Sequence, residues 1–206
     1  MDPNIEQAGH ELLLRLAGRL PDPLLWRYRD WLGEGAVSTL ARTLPKSLLK
    51  HNIDLDQHEH GLLVDGFVPH GADRHQVSST LGVDAGAQTR YTFTQASPES
   101  VNAADQVDAV IGATLRGRPN VGEVRQSWRQ AGDGEAKRVL LITALDDCAR
   151  LTGEVQRVLR VLGEEDPGVE VMPPRLDLRD YHQVALANST SLCVGAAGGR
   201  RRTAVG

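Results

Sequence analysis

The chain has 206 residues, 40% of them hydrophobic, and a formal net charge of −4. It is long enough to bury a core without disulfides or metals, and it lacks the basic surplus with which proteins hold nucleic-acid phosphates. Its first apolar run, residues 12–16, is interrupted by Arg15 and has no basic leader or small-residue cleavage site. Neither a signal peptide nor a membrane helix is expected, and the protein is expected in the cytoplasm. There Cys148 and Cys193 are expected to act as small buried hydrophobes rather than as a disulfide.

The most orderly pattern is a ten-residue string, L-A-x-x-L-P-x-x-L-L, at residues 16–25 and again at 40–49. Each copy reads as a helix that stops at Leu-Pro, because proline lacks an amide donor, followed by a helix that starts just past it. The first helix is predicted over residues 4–19, with Ile5, Ala8, Leu12, Leu13 and Leu16 on one face. Asp22 is then expected to cap a second helix, with Pro23 its first residue, a stripe of Leu24, Leu25, Tyr28, Trp31 and Leu32, and an end at Gly33. A third helix carries Val37, Leu40, Ala41 and Leu44 and is expected to be cut at Pro45. Asp56 with Glu59 forms a capping-box pattern that opens a helix to about Gly66. Residues 1–68 therefore read as a helical module. Within it Trp26 lies off the buried stripe beside Arg27, and an aromatic residue among arginines on an exposed face suits contact with a partner protein.

Between Pro69 and Pro98 the helical period lapses. Residues 77–83 and 89–94 are rich in β-branched and aromatic side chains, flank D-A-G-A and read as a hairpin. The string at 76–91, QVSSTLGVDAGAQTRY, also resembles the middle of a helix-turn-helix, although Gln88 and Gly86 depart from that pattern where the recognition helix should dock. A helix restarts at Ser97-Pro98-Glu99 and carries Val101, Ala104, Val107, Val110 or Ile111, and Leu115 along one side. Asn120 with Glu123 repeats the capping-box spacing ahead of Val121, Val124 and Trp128, which predicts a further helix. The polar, Gly-bearing residues 132–136 mark the expected boundary and close a middle region of residues 69–131.

Beyond the boundary, residues 132–194 read as a βαβα unit with parallel strands. Residues 138–143 (RVLLIT) suit a strand buried on both faces. The helix after them carries Cys148, Leu151, Val155, Val158 and Leu159 inward; residues 169–172 form the second strand, and a last helix uses Tyr181, Val184, Ala185 and Leu192. Residues 195–206, Gly-rich and containing Arg200, Arg201 and Arg202, read as a disordered tail. The fold class expected is mixed α/β.

Ligands of open α/β sheets bind beyond the carboxyl ends of the strands. That location holds Thr143, Asp146 and Asp147 after the first strand and Asp177 after the second. Adjacent carboxylates can hold a cation, yet acidic residues at a helix start are better accounted for as caps favoured by the helix dipole. Five of the seven histidines lie between residues 51 and 75, but His58 and His60, two apart, point to different sides of a helix, and no His-Glu-x-x-His pair occurs. No catalytic residue, metal site or cofactor is assigned.

The Leu-Pro-punctuated helices, R-x-W-L at residues 29–32 and the terminal RVLLIT…LTGEVQRVLRVLG…VEVMPP arrangement together resemble small accessory proteins of actinobacterial conflict gene clusters. The type is the CATRA-associated small protein, encoded beside caspase-like and TPR-containing components. An arginine-rich composition, in which only Lys46, Lys50 and Lys137 of the 23 basic residues are lysines, fits the GC-rich coding of such a source. The resemblance implies an accessory or regulatory role and supplies no functional residue. The function expected is a non-enzymatic adaptor or regulator acting through protein contacts, with Trp26 and Arg27 as candidate contact residues. The alternatives are a small-ligand or hydrolytic site at Thr143, Asp146, Asp147 and Asp177, and DNA binding through residues 76–91.

Overall fold

The computed structural model describes residues 3–82, 91–96, 104–174 and 176–198. Its contacts divide the chain into two units, parting between Thr89 and Arg90.

The first unit is helical: α1 Pro3–Arg15, α2 Asp22–Gly33, α3 Val37–Lys50, α4 Gln57–Phe67, a 3-10 turn Val68–His70 and α5 Arg74–Ser78. Leucine builds its core, with Leu12, Leu13, Leu16, Leu40, Leu44, Leu48 and Leu63 sealed from solvent together with Phe67. α1 stops at Arg15, short of the predicted residue 19, and the chain turns through Gly18 at φ 76° before Leu20. A left-handed backbone of that kind favours glycine, so the stop precedes the Leu-Pro. Pro21 holds the N-cap position of α2, and Asp22 is its first helical residue rather than its cap.

The second Leu-Pro is no break at all. Pro45 lies inside α3, which runs on to Lys50. The buried stripe of Val37, Leu40, Ala41, Leu44 and Leu48 keeps one helical phase across the proline, and burying it outweighs the single lost amide donor. The capping box of α4 forms as predicted: Glu59 N donates to Asp56 Oδ1 at 2.8 Å and Asp56 N to Glu59 Oε2 at 3.1 Å. The same carboxylate, fully buried, receives Arg19 Nη1 on both oxygens at 2.8 and 2.9 Å. The predicted strand at 77–83 is replaced by α5, capped by Asp73, and by an isolated bridge between Leu81 and Leu55. Residues 83–90 lie outside the described residues.

The second unit contains β1 Tyr91–Thr94, α6 Ala104–Leu115, β2 Val121–Ala131, β3 Lys137–Ala144, α7 Cys148–Val161, β4 Gly168–Met172, α8 Asp180–Ala187 and β5 Thr190–Val194. These elements give a mixed α+β chain. In its five-stranded sheet β2 pairs antiparallel with β3, and β3 pairs parallel with β4. The other edge of β2 is shared end to end: β5 takes residues 123–126 and β1 takes residues 128–131. Ser127 stands at the join, fully buried, its hydroxyl donating to Asn188 O at 2.6 Å and facing Thr94 O at 3.3 Å.

Several expectations change in this unit. The capping-box pattern at Asn120 and Glu123 opens no helix, because residues 121–131 are the long strand β2. A bulge between Val121 and Val124 puts two residues of β2, Gly122 and Glu123, opposite one of β3, Thr143, so two valines spaced three apart share one face and imitate a helical period. Residues 132–136 are the turn of the β2–β3 hairpin, not a boundary. Leu192 belongs to β5 rather than to the last helix. Residues 91–94 are a strand paired to β2, which removes the recognition helix on which the helix-turn-helix reading depended. The expected helix start at residues 97–99 and the tail from Gly199 lie outside the described residues. Gly195 and Ala196, expected in a disordered tail, donate backbone bonds to Gly122 O at 2.6 Å and Arg118 O at 3.2 Å.

Helices cover both faces of the sheet. On one, Val124, Leu140, Ile142, Ala144, Val169 and Val171 meet Val107, Ile111 and Leu115 of α6 and Leu151, Val155 and Leu159 of α7. On the other, α8 lays Tyr181 edge-on against Phe93, ring centroids 5.2 Å apart, and His182 Nε2 lies 3.0 Å from Glu170 Oε2 on β4. No described helix is long and apolar enough to cross a membrane.

Candidate functional site

The parallel pair β3–β4 ends at Thr143 and Met172, and past those ends a cleft of about 650 Å³ opens on the α8 side of the sheet. Its walls are chiefly apolar: Met172 and Pro173 at the end of β4, Leu176 and Leu178 from the segment that follows, Leu186 from α8, and Leu145 past β3. Three polar residues of the lining, Glu123, Arg125 and Thr143, make hydrogen bonds within the fold. Thr143 Oγ1 accepts the Glu123 amide at 2.8 Å, which closes the bulge of β2; a Cβ on Gly122 would fall 2.5 Å from that hydroxyl oxygen. Arg125 donates to Glu123 Oε1 at 2.6 Å, to Ser189 Oγ at 2.7 Å and to Ser189 O at 2.9 Å. Leu145 and Val194, both in the lining, are 58% and 41% exposed, so apolar surface continues out of the cleft.

A second, smaller depression of about 490 Å³ lies at the start of α7 and is lined by Asp146, Asp147, Arg118, Asn120, Arg150 and Glu154 among others. Asn120 latches its floor, donating from Nδ2 to Asp146 O at 3.3 Å and accepting Leu145 N at 2.9 Å. Glu154 receives Arg118 Nη1 at 2.6 Å and Arg150 Nε at 3.1 Å. The Arg118 hydrogen bond is the chief cause that holds the Glu154 carboxyl below its ordinary range, with burial working against it.

The structure does not gather the four predicted strand-end residues into one site. Thr143 lines the larger cleft, Asp146 and Asp147 line the smaller depression, and Asp177 is exposed between Leu176 and Leu178 without lining either. Asp147 holds the N-cap position of α7, but in a left-handed conformation, φ 50° and ψ 30°, and its side chain makes no capping bond. In the first unit Trp26 is half-buried and Arg27 exposed, its guanidinium 5.9 Å from the Trp26 ring centroid. Tyr28 and Trp31 pack together with ring centroids 5.6 Å apart, and the Tyr28 hydroxyl lies 2.6 Å from Ser47 Oγ.

Sequence reasoning located the strand ends but missed the residues that wall the cleft. Leu176 and Leu178 sit in a segment with no period, and Leu186 is the off-stripe residue of an eight-residue helix. The one signal available was the run Met172-Pro173-Pro174, which ends a buried strand and keeps the next segment extended. No known protein family, no curated protein and no solved structure matches the chain. The class defined by fold and site is therefore a helical unit joined to a mixed-sheet unit that carries an apolar cleft at its strand ends.

Proposed function

We propose that the chain is a non-enzymatic adaptor or regulator, a cytoplasmic accessory protein of the conflict-system kind, and that its strand-end cleft receives apolar side chains of a protein partner. The observation that carries this reading is the apolar lining that runs outward through Leu145 and Val194. Exposed apolar side chains at the rim of an apolar cleft suit an interaction site. Thr143 Oγ1 accepts the Glu123 amide and donates to Glu123 O at 3.4 Å, and Arg125 is held by Glu123 and Ser189, so both side chains serve the fold, which supports binding over chemistry. One specific observation favours a small ligand as the second reading: a volume of about 650 Å³ lies within the range of small-molecule sites.

The test is affinity capture from a lysate of the source organism with the tagged chain, its Leu145→Asp variant and its Trp26→Ala variant, read by quantitative mass spectrometry. A protein retained by the wild type and by Trp26→Ala, but reduced about tenfold or more by Leu145→Asp, is expected, since anchors at the centre of an interface carry most of its energy. Loss with Trp26→Ala alone moves the contact surface to α2. Equal retention by all three chains rejects both surfaces. A small molecule seen bound in native mass spectra of the gently purified chain, and absent from Leu186→Arg, establishes the second reading instead.

A further inference from the structure

The sheet of the second unit has an open edge. β1 and β5 both run antiparallel to β2, so they point the same way along it and act together as one strand interrupted at Ser127. Thr94 is opposite Trp128 and Thr190 is opposite Gln126, one residue to either side of that join. Among the described residues, no strand pairs with the outer side of β1 or β5. In an antiparallel ladder every second residue turns its amide and carbonyl away from its neighbour, so the outer side presents a row of hydrogen-bonding groups.

This edge lacks the charges that commonly guard one. Residues 91–98 and 183–199 contain no Asp, Glu, Lys or Arg, in a chain where those residues make up 24%. Apolar side chains stand exposed beside it instead. Val194 on β5 is 41% exposed; Val184 is 45% exposed and lies three residues on from Tyr181, on the side of α8 that packs against Tyr91 and Phe93 of β1. One guard is present, because Leu192 has no counterpart on β2 and breaks the ladder of β5. The regular stretch is therefore Tyr91–Thr94 with Thr190 and Ser191, about the length of an ordinary strand.

The occupant that fits this edge is a second copy of the chain. A two-fold axis through the join and normal to the sheet sets each copy's β1 against the other's β5, so two short strands each gain a partner of similar length. Thr94 then comes opposite Thr190 of the other copy, since the two are equally far from Ser127. Such a contact brings any charge near the axis close to its own duplicate, and a charge-free edge avoids that repulsion. We propose that two copies associate through this edge, β1 of each antiparallel to β5 of the other, so that one sheet runs through both. The association does not depend on what the cleft binds.

The test is light scattering on the full chain from about 1 to 100 μM, where the mass is expected to rise from 22.4 kDa toward twice that value. Thr94→Lys and Thr190→Glu, each alone and with unchanged circular dichroism, are expected to raise the dissociation constant at least about tenfold, since each sets like charges close across the axis. Mixing the two variants is expected to restore association, because a mixed pair sets Lys against Glu. A wild type that keeps the mass of one copy throughout overturns the proposal, as does a dimer that neither variant weakens or a mixture that stays apart. Because Thr190→Glu can fail to fold, a second arm follows amide hydrogen exchange of the wild type at both ends of the concentration range. Slower exchange at residues 91–94 and 190–194 is expected in the concentrated sample, and slowing confined to other residues overturns the proposal.

Discussion

Gln156 lies on α7 with none of its surface exposed, and neither its amide nitrogen nor its amide oxygen has a hydrogen-bond partner among the described residues. Two unmet polar groups in an interior weaken a fold, so Gln156→Leu is expected to raise the unfolding free energy by about 1–3 kcal/mol in urea titration. Glu164 raises a different issue, one of pH. Burial pushes its carboxyl above the ordinary range; Arg138, whose Nε lies 2.9 Å away, pulls it down less, and the Asp108 charge adds to the rise. A carboxyl that titrates higher in the folded chain than in the unfolded one binds more protons when folded. Its contribution is therefore fully present below the ordinary carboxylate value and is lost as pH rises through the raised one. Urea unfolding followed upward from about pH 4 is expected to show that decline, and Glu164→Gln to flatten it. Glu11 and Glu154 slope the other way. For Glu11 burial works upward, but hydrogen bonds from His58 and Arg15 with their charges hold it low, and Arg118 does the same for Glu154. Their contributions are present above the ordinary value and fade on acidification, so the Glu164 variant isolates the opposing slope.

Among the elements, α3 carries a proline where a helix should not tolerate one. Pro45 has no N–H to offer the Ala41 carbonyl one turn back, and the nearby Thr43 hydroxyl donates instead to Thr39 O at 2.8 Å and contacts Leu40 O at 3.2 Å. Pro45→Ala restores the donor, and thermal unfolding is expected to show a gain of about 1–3 kcal/mol after allowing for lost packing. The same proline marks where the sequence misleads. The Leu-Pro string at residues 16–25 does join two helices, while its copy at 40–49 lies within one: the first has Gly18, whose left-handed backbone follows the end of α1, and Pro23 in the first turn of α2, where the second has Arg42 and Ser47. Elements whose signal is local were legible: the Asp56–Glu59 cap, the RVLLIT strand and the stripe of α7. β2 was not, since a bulge gave its valines helical spacing and burial on both faces erased the alternation of a strand.

For the whole molecule, the general place of the cleft was legible from the order of strands, and its composition was not. The walls come from five stretches, around residues 123, 145, 176, 186 and 194, and no pairwise spacing reports such an assembly. The division of the chain was misplaced for a related reason: a polar Gly-bearing stretch reads alike whether it links bodies or turns a hairpin. The split edge of β2 has a consequence of another kind, in the order of events as the chain is made. β1 is synthesised before β2, but β5 is the last strand to emerge, after α7, β4 and α8. Until residues 190–194 are released, the backbone groups of residues 123–126 face outward with no partner, and an open strand edge is a template for pairing with other chains. A chain that lacks this strand presents residues 123–126 as an open sheet edge, which a strand of another chain can extend.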